Sequence, residues 1–563
     1  MSSLEKPFAI TLEVGSSRAN HTGSWRTERP EYVRLTAPCG GACPASEDVQ
    51  QWLYHAEEGA YEQAFRKIME RNPFPAICGR VCYHPCETAC NRVQLDEAVG
   101  INSVERFLGD QAIAGGWSSP APAAASGRRV LVIGAGPSGL SAAYHLALLG
   151  HAVTVRDAAP AAGGMMRYGI PKYRLPREVL DAELARIAAL GVQFQLGRNV
   201  SDVISEQLEG RFDAVFLAVG ARLGSRTNIP AGSAAKIIDA LSLLRDMEDD
   251  AAGPPLLGRR VAVYGGGNTA MDAARTAKRL GAEDAVIVYR RTRDRMPAHE
   301  SELEEALQEG IQVHWLTTIK QADAGRLTVE RMELDEHGFP QPTGQFDELQ
   351  ADTLVLATGQ QTDLSLLEGV SGIEQEDGVV KVDHNLMTGH DGIFAGGDMV
   401  PAERTVTVAI GHGRRAAHGI DRWLRGAPDT ATGEPEGSAS HTGVGPAPQP
   451  VEVPFERLNT WYYSDAPKTV REQLDAVRRS STFDEVVLGL DESTALFEAR
   501  RCMSCGNCLA CDNCYGVCPD NAVIKLSRGG AYAYEIDYDF CKGCGLCVQE
   551  CPCGALEMQP ELI

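Results

Sequence analysis

Eleven of the seventeen cysteines in this 563-residue chain lie in the stretch 502–563. From Cys508 their spacing is C-x2-C-x2-C-x3-C-P (Cys508, Cys511, Cys514, Cys518, Pro519). From Cys541 it repeats (Cys541, Cys544, Cys547, Cys551, Pro552). Three closely spaced thiolates hold three corners of a cubane, and the fourth cysteine reaches across to the other cluster. The expected [4Fe–4S] ligand sets are therefore Cys508, Cys511, Cys514 with Cys551, and Cys541, Cys544, Cys547 with Cys518. Structural zinc usually takes two C-x2-C knuckles per tetrahedral site, and three cysteines in a row before Cys-Pro suit it poorly. Cys502, Cys505 and Cys553 are left over. Cys502-x2-Cys505-x2-Cys508 also offers a shifted register for the first cluster. The chain is expected to move single electrons.

Two further patterns accept a dinucleotide. A strand from Arg129 to Val132 runs into Gly134-Ala-Gly136-Pro137-Ser-Gly139 and an apolar helix. A second strand then ends at Asp157, 23 residues after Gly134. In such a unit the first glycine makes a tight turn, the second lets the backbone approach a pyrophosphate, and the third lets helix and strand pack closely. The carboxylate can hold ribose hydroxyls. The second unit is Val261 to Tyr264, then Gly265-Gly-Gly267-Asn268-Thr269-Ala270, a helix, and a strand from Ala285 to Tyr289. This strand ends in Arg290-Arg291 and not in an acid. A guanidinium pair there suits a 2′-phosphate through charge-assisted hydrogen bonds, favouring NADPH over NADH; the other reading is a solvated basic edge. Further on, Gly392-Ile-Phe-Ala-Gly396-Gly397-Asp398 reads as a buried strand ending in a glycine turn and a carboxylate. The helix that follows Thr405 and Thr407 is placed to direct its dipole at a cofactor. No His/Asp/Ser constellation calls for another reaction, so no catalytic acid, base or nucleophile is assigned.

The elements that must position these groups fall into three blocks, about 1–115, 128–425 and 451–563. Gly115–Gly127 and Gly426–Pro450 separate them as Pro/Gly/Ser/Ala-rich stretches, expected to be flexible linkers. No cysteine lies between Cys90 and Cys502, so the middle block has no redox disulfide and its electrons must leave through the flanks. The net charge of −23 argues against nucleic acid or an anionic membrane as partner. No basic stretch followed by an apolar run opens the chain, and 130–155 is broken by glycines, His145 and His151. A cytoplasmic enzyme is the expectation. Helical spacing of apolar residues over Asp48–Arg71 marks core.

GAGPSG, GGMMRYGIPKYRLP (163–176), GGGNTAMDAAR (265–275), VYRRTRDRMPA (288–298) and GIFAGGDM (392–399) together resemble the small subunit of bacterial glutamate synthase. The same electron-input module occurs in dihydropyrimidine dehydrogenases and other NAD(P)H-linked iron–sulfur flavoenzymes. The resemblance covers about 34–425. It implies FAD at Gly134, Gly136, Pro137, Gly139, Asp157, Gly164, Arg174, Gly397, Asp398 and Thr407. It implies NAD(P)H at Gly265, Gly267, Asn268, Thr269, Arg290 and Arg291. It also implies [4Fe–4S] chemistry in the N-terminal block, where the family holds two clusters. Here the two cysteines that usually precede Cys39 are absent, and Cys82 and Cys86 stand closer together than usual. Cys43, Cys82, Cys86 and Cys90 match one family cluster, leaving Cys39 and Cys78 as spare thiols or alternative ligands. About three clusters are expected.

The doubled C-terminal pattern resembles a bacterial two-cluster ferredoxin. Fused to this module, it is similar to NAD(P)-linked subunits of 2-oxoacid:ferredoxin oxidoreductases. The implied fold is multidomain: an N-terminal α-helical iron–sulfur domain (1–115), an α/β core, a helical connection (451–500) and an α+β ferredoxin domain (501–563). The core has two Rossmann-like domains, FAD-binding at 128–225 plus 350–425 and NAD(P)H-binding at 226–349. The implied function is electron transfer between NAD(P)H and a ferredoxin or partner oxidoreductase. The alternatives are a glutamate synthase small subunit or a non-catalytic iron–sulfur scaffold.

Overall fold

The computed structural model describes residues 21–24, 26–33, 35–224, 227, 229–232, 235–248, 253, 255–426, 451–526 and 533–561. The stretch 427–450, read above as a linker, lies outside them.

Two parallel five-stranded sheets form the middle of the chain. The first is built on strand β1 (Arg129–Ile133), flanked by β2 (Ala152–Arg156) and Gln193–Gln195 on one side and by Ala214–Leu217 and Ile393–Ala395 on the other. In chain order this is 3-2-1-4-5, so the crossovers reverse direction beside β1 and open a crevice at its carboxyl end. Val130 to Ile133 are buried, as a strand covered on both faces requires. Helix α1 (Pro137–Leu148) follows β1. Its residues from Ser138 to Ala147 are buried because α3 (Val406–Arg425) lies against it as well as the sheet. A Cβ at Gly413 would overlap the Ser138 carbonyl oxygen, so only glycine lets α3 approach so closely. The Ser141 hydroxyl donates to the Ile410 carbonyl at 2.8 Å across the same contact.

The second sheet is built on β3 (Arg260–Tyr264), with β4 (Asp284–Val288) and Gln312–His314 on one side. Thr353–Leu356 and Ile237–Asp239 stand on the other. Helix α2 (Asn268–Arg279) follows β3. An antiparallel meander (Thr317–Asp323, Arg326–Leu334, Pro340–Gln350) is inserted before Thr353. The domain boundary expected at 350 therefore moves. Thr353–Leu356 pairs with strands of the second sheet on both sides, and the chain returns to the first domain only after Leu356.

The N-terminal block is helical, as its apolar spacing predicts, although the Asp48–Arg71 stretch breaks into Val49–Glu57 and Tyr61–Met69 at Gly59. The segment 451–500 departs from the helical expectation. It carries two short α-helices, Ala476–Ser481 and Glu492–Ala499, and two 3-10 turns, Phe455–Arg457 and Thr460–Tyr462, and otherwise runs as irregular backbone over the N-terminal and nucleotide domains. Ala495 and Ala499 join the core formed by Trp52, Leu53 and Phe107. Glu498 accepts the Gly100 amide at 2.5 Å and the Thr469 amide at 2.8 Å. The last strand, Leu556–Pro560, pairs antiparallel with Glu28–Tyr32. The first and third blocks of the sequence thus form one body. The stretch Gly115–Gly127, expected to be flexible, is docked: Trp117 packs on Phe65 and the Ala123 and Ser126 amides bond to Leu148 and Gly150.

Candidate functional site

At the carboxyl end of β1, Gly134 turns with φ +112° and leads to Gly136, the N-cap of α1, with Pro137 in the first helical position. A Cβ at Gly139 would overlap the Gly134 carbonyl oxygen, which fixes glycine as the residue that lets helix and strand meet. Gly164 (φ +53°) brings a second backbone to the same spot: its Cβ would stand 2.5 Å from the Gly136 Cα. Gly397 (φ +72°) approaches from the other side, where a Cβ would lie 3.0 Å from that of Ser138. The Ser138 hydroxyl is buried in this cradle with no hydrogen-bond partner. Asp157 accepts the Ala135 amide at 2.6 Å and the Ala159 amide at 2.7 Å, bracing the turn with one lone pair on each oxygen and leaving the others open. Burial pushes the Asp398 carboxyl up, opposed by Arg404. The Gly397 amide donates to Nδ1 of His412 at 3.1 Å; burial pushes His412 down to about 4, so its ring is neutral at pH 7. Unpartnered Ser138, the glycine cradle and the amino ends of α1 and α3 fit a dinucleotide with a pyrophosphate and an anionic ring system.

The second crevice repeats this plan. Gly265 turns at φ +150°, and a Cβ at Gly267 would meet nothing within 4 Å, so the amino end of α2 is open. Asn268 accepts the His299 amide at 2.8 Å, and Gln360 donates to the Thr269 hydroxyl at 3.2 Å. These two side chains brace the opening. Arg290 is exposed and Arg291 half-buried at the end of β4. Among the described residues neither forms an ion pair with a carboxylate, and Nε of Arg291 is buried without a partner. The neighbouring Arg293 is instead engaged by Glu300 and Glu304.

Arg174 is placed differently from the expectation of a flavin contact. Its guanidinium is buried between domains, bonded to Asp272 at 2.8 and 3.0 Å and paired with Glu302. Arg275, Arg279 and Arg479 extend this network around Glu309, and Arg279 lies 3.7 Å from the Tyr173 ring centroid. Burying charges on this scale is tolerable only when each is paired, so Arg174 is committed to holding the domains together.

The cysteines assemble from distant segments. Cys514 lies in the electrostatic field of Cys508, Cys511 and Cys551, and Cys547 in that of Cys518, Cys541 and Cys544. The last three and Cys547 line one void. The thiols of each expected set thus lie near one another, Cys551 beside the first loop and Cys518 beside the second, while Cys505 borders Cys502 and Cys90. Burial pushes Cys547 up to about 12, so metal must displace protons to bind. In the N-terminal block Cys86 neighbours Cys43 and Cys82, with Cys78 and the buried carboxylate of Glu105 both bordering Cys82. Cys90 is not in this group. Cys86 sits in the one-turn helix Pro85–Thr88, and the chain becomes extended at Cys90 (ψ 123°), which carries its thiol to another void together with Cys39.

The first N-terminal group abuts the flavin-type cradle. The Thr407 hydroxyl, in the first turn of α3, donates to the Cys82 sulfur. A Cβ at Gly411 would overlap the carbonyl oxygen of Pro44, next to Cys43. The nucleotide domain reaches the same loop, where His299 stacks on Tyr83 at 4.7 Å. Among the described residues no helix is long and apolar enough to cross a membrane.

Comparison with known proteins agrees with this geometry. Residues 128–413 match the pyridine nucleotide-disulphide oxidoreductase family. Residues 33–117 match the 4Fe-4S cluster domain II of dihydropyrimidine dehydrogenase, and residues 534–557 the 4Fe-4S binding domain. The chain is 38% identical over 509 residues to the NADP(+)-dependent formate dehydrogenase subunit beta of Moorella thermoacetica, covering 84% of this chain and 71% of that one. It is 31% identical over 515 residues to the NADPH-Fe(3+) oxidoreductase subunit beta of Geobacter sulfurreducens, with 84% and 75% covered. It is 32% identical over 395 residues to the NAD-dependent dihydropyrimidine dehydrogenase subunit PreT of Escherichia coli, with 69% and 92% covered. The 128–413 stretch contains no cysteine, so the thiol pair in the family's description has no counterpart in it. The chain belongs to the pyridine nucleotide-disulphide oxidoreductase family, as an NAD(P)H-dependent oxidoreductase with 4Fe-4S domains on both sides of its dinucleotide-binding core.

Proposed function

We propose that the chain is the electron-transfer subunit of a larger complex, oxidising NADPH at the second crevice and delivering single electrons through its clusters to a catalytic partner. The observation that carries this reading is the seat of α3, whose first turns touch the flavin-type cradle on one side and Cys82 and Pro44 on the other. FAD, when bound, accepts a hydride as two electrons and can release them singly. The residues supply the rest. The glycine turns admit the two pyrophosphates, Arg290 and Arg291 select the 2′-phosphate, and Thr407 holds the Cys82 sulfur against the amino end of α3. Arg174 keeps the two crevices in register through Asp272 and Glu302. Cys511 and Cys544 are exposed, so both C-terminal groups have an edge at the surface where an acceptor can meet them.

Support for a catalytic partner comes from the relatives, whose names describe beta subunits acting with formate or Fe(3+). A subunit of a 2-oxoacid oxidoreductase, or of glutamate synthase, would use the same input module with a different partner. Anaerobic mixing of the purified chain with NADPH and then NADH tests the proposal. Flavin bleaching should be followed by reduction of an added ferredoxin or of the catalytic partner. No bleaching with either nucleotide would refute it. Glutamine-dependent turnover with a large amidotransferase partner would move it to the glutamate synthase reading.

A further inference from the structure

The void that receives Cys90 is also lined by Cys39, Cys502 and Cys505. These thiols come from opposite ends of the sequence and lie in one another's electrostatic field. Apart from them the lining is largely apolar, with Leu53, Val99, Ile101 and Met503. Among the described residues no group of three or more Cys, His, Asp or Glu side chains closes on a single metal ion. All four cysteines line one space, as the ligands of a cubane do.

The loop that brings in two of these thiols is built like the cluster loops nearby. In Cys508-Leu-Ala-Cys511 and Cys541-Lys-Gly-Cys544 the third residue is left-handed (Ala510 φ +54°, Gly543 φ +69°), and that loop residue's amide bonds to the first cysteine's sulfur. Cys502-Met-Ser-Cys505 repeats this: Ser504 has φ +49° and its amide points at the Cys502 sulfur at 3.4 Å. A buried serine held left-handed costs of order 1 kcal/mol or more and persists where surrounding structure requires it. Its hydroxyl is held by Gln50 at 3.2 Å. The other three sulfurs also receive N–H donors: Cys505 from Asn91 at 3.7 Å, Cys39 from the Gly40 amide, and Cys90 from the Val99 and Arg92 amides. Donors aimed at sulfur stabilise thiolates and tune a cluster's potential.

We propose that Cys39, Cys90, Cys502 and Cys505 hold a further [4Fe–4S] cluster, shared between the N-terminal and C-terminal parts of the chain. Its place in the fold makes it a link. Cys39 and Cys43 straddle the end of the one-turn helix Pro38–Gly41, as Cys86 and Cys90 straddle the end of Pro85–Thr88. Each pair divides its thiols between this site and the Cys43/Cys82/Cys86 group. On the far side, Cys505 and Cys508 are three residues apart, and half-buried Tyr463 lies in the field of Cys502, Cys505 and Cys551 together. A cluster held there would accept one electron at a time from the flavin-side group and pass it on to the C-terminal pair.

The test is iron, acid-labile sulfide and zinc per chain in the full-length protein purified anaerobically, for the wild type and for Cys502→Ser/Cys505→Ser. A cubane at this site adds about four irons and four sulfides to those the other thiol groups hold. The double variant should lose about four irons and four sulfides, and one set of reduced-cluster EPR signals, at unchanged FAD content. Unchanged iron in the double variant, or zinc lost in place of iron, would overturn the proposal. Should the variant fail to fold, Asn91→Leu, which removes the N–H donor to the Cys505 sulfur, should lower the midpoint potential of one cluster in an EPR-monitored redox titration, and a titration identical to that of the wild type would overturn the proposal. These counts need no nucleotide, acceptor or partner, so they stand or fall apart from the proposed electron relay.

Discussion

With Arg290 and Arg291 reading the 2′-phosphate, as proposed, replacing both by alanine should leave an enzyme that barely distinguishes NADPH from NADH. Arg291 is half-buried with an unpartnered Nε, so a hydrogen bond given to a 2′-phosphate oxygen there would be charge-assisted and partly desolvated. Such a bond is worth about 1.5–3 kcal/mol. Arg290 is exposed and contributes in the range of a surface pair, about 0.2–1 kcal/mol. Together they give about 2–4 kcal/mol, or on the order of a hundredfold in the ratio of kcat/KM for the two nucleotides. The loss should fall on NADPH alone, because NADH has no group at that position. Anaerobic stopped-flow measurement of flavin reduction at a range of nucleotide concentrations reads the ratio directly. An equal decline with both nucleotides would refute the argument and return the arginines to a solvated basic edge.

Further outcomes follow from the same geometry. Gly164→Ala should yield protein without FAD, read as the flavin-to-protein ratio, since its Cβ would stand 2.5 Å from the Gly136 Cα in a left-handed turn. Thr407→Val removes the hydroxyl bonded to Cys82 and should lower the potential of the flavin-side cluster in an EPR-monitored redox titration, since donors to sulfur raise it. Arg275→Ala leaves Glu309 and Glu305 short of a buried partner and should cost about 3–5 kcal/mol, read as a lower unfolding midpoint. Glu183 accepts the Ala76 and Ile77 amides at 3.0 and 3.1 Å, and burial raises its carboxyl to about 7 from an ordinary 4.5. Its folded pKa is the higher one, so its favourable contribution is complete below about 4.5 and is lost as pH rises through about 7. Relative to Glu183→Gln, the wild type should lose about 2 kcal/mol between about pH 5.5 and 8. A parallel pH profile for the two proteins would contradict that assignment.

Features written in short, covalently spaced runs were legible from the sequence. GAGPSG, GGGNTA and the two C-x2-C-x2-C-x3-C-P loops place their groups through local turn geometry, and the structure brings those groups together as the spacing implies. Features that depend on how short elements end were not. Cys90 follows Cys86 at a helical interval, yet the helix stops at Thr88 and the extended backbone at Cys90 sends its thiol elsewhere. Arg174 lies inside a flavoenzyme motif, but Asp272 and Glu302, about a hundred residues away, take its charge. Thr353–Leu356 could have joined either sheet, and only its pairing partners decide. The joining of residues 492–505 to the N-terminal core rests on Ala495, Ala499 and Glu498, whose small size and single charge gave no periodic signal. One cue was available: C-x2-C at 502–505 stands outside both ferredoxin repeats.

Rapid mixing with NADPH under anaerobic conditions, quenched by freezing and read by optical and EPR spectroscopy, tests electron relay from nucleotide to clusters most directly. The account predicts flavin bleaching first, then reduced [4Fe–4S] signals in the same molecules with no added mediator. Bleached flavin with clusters that remain oxidised until dithionite is added would contradict it.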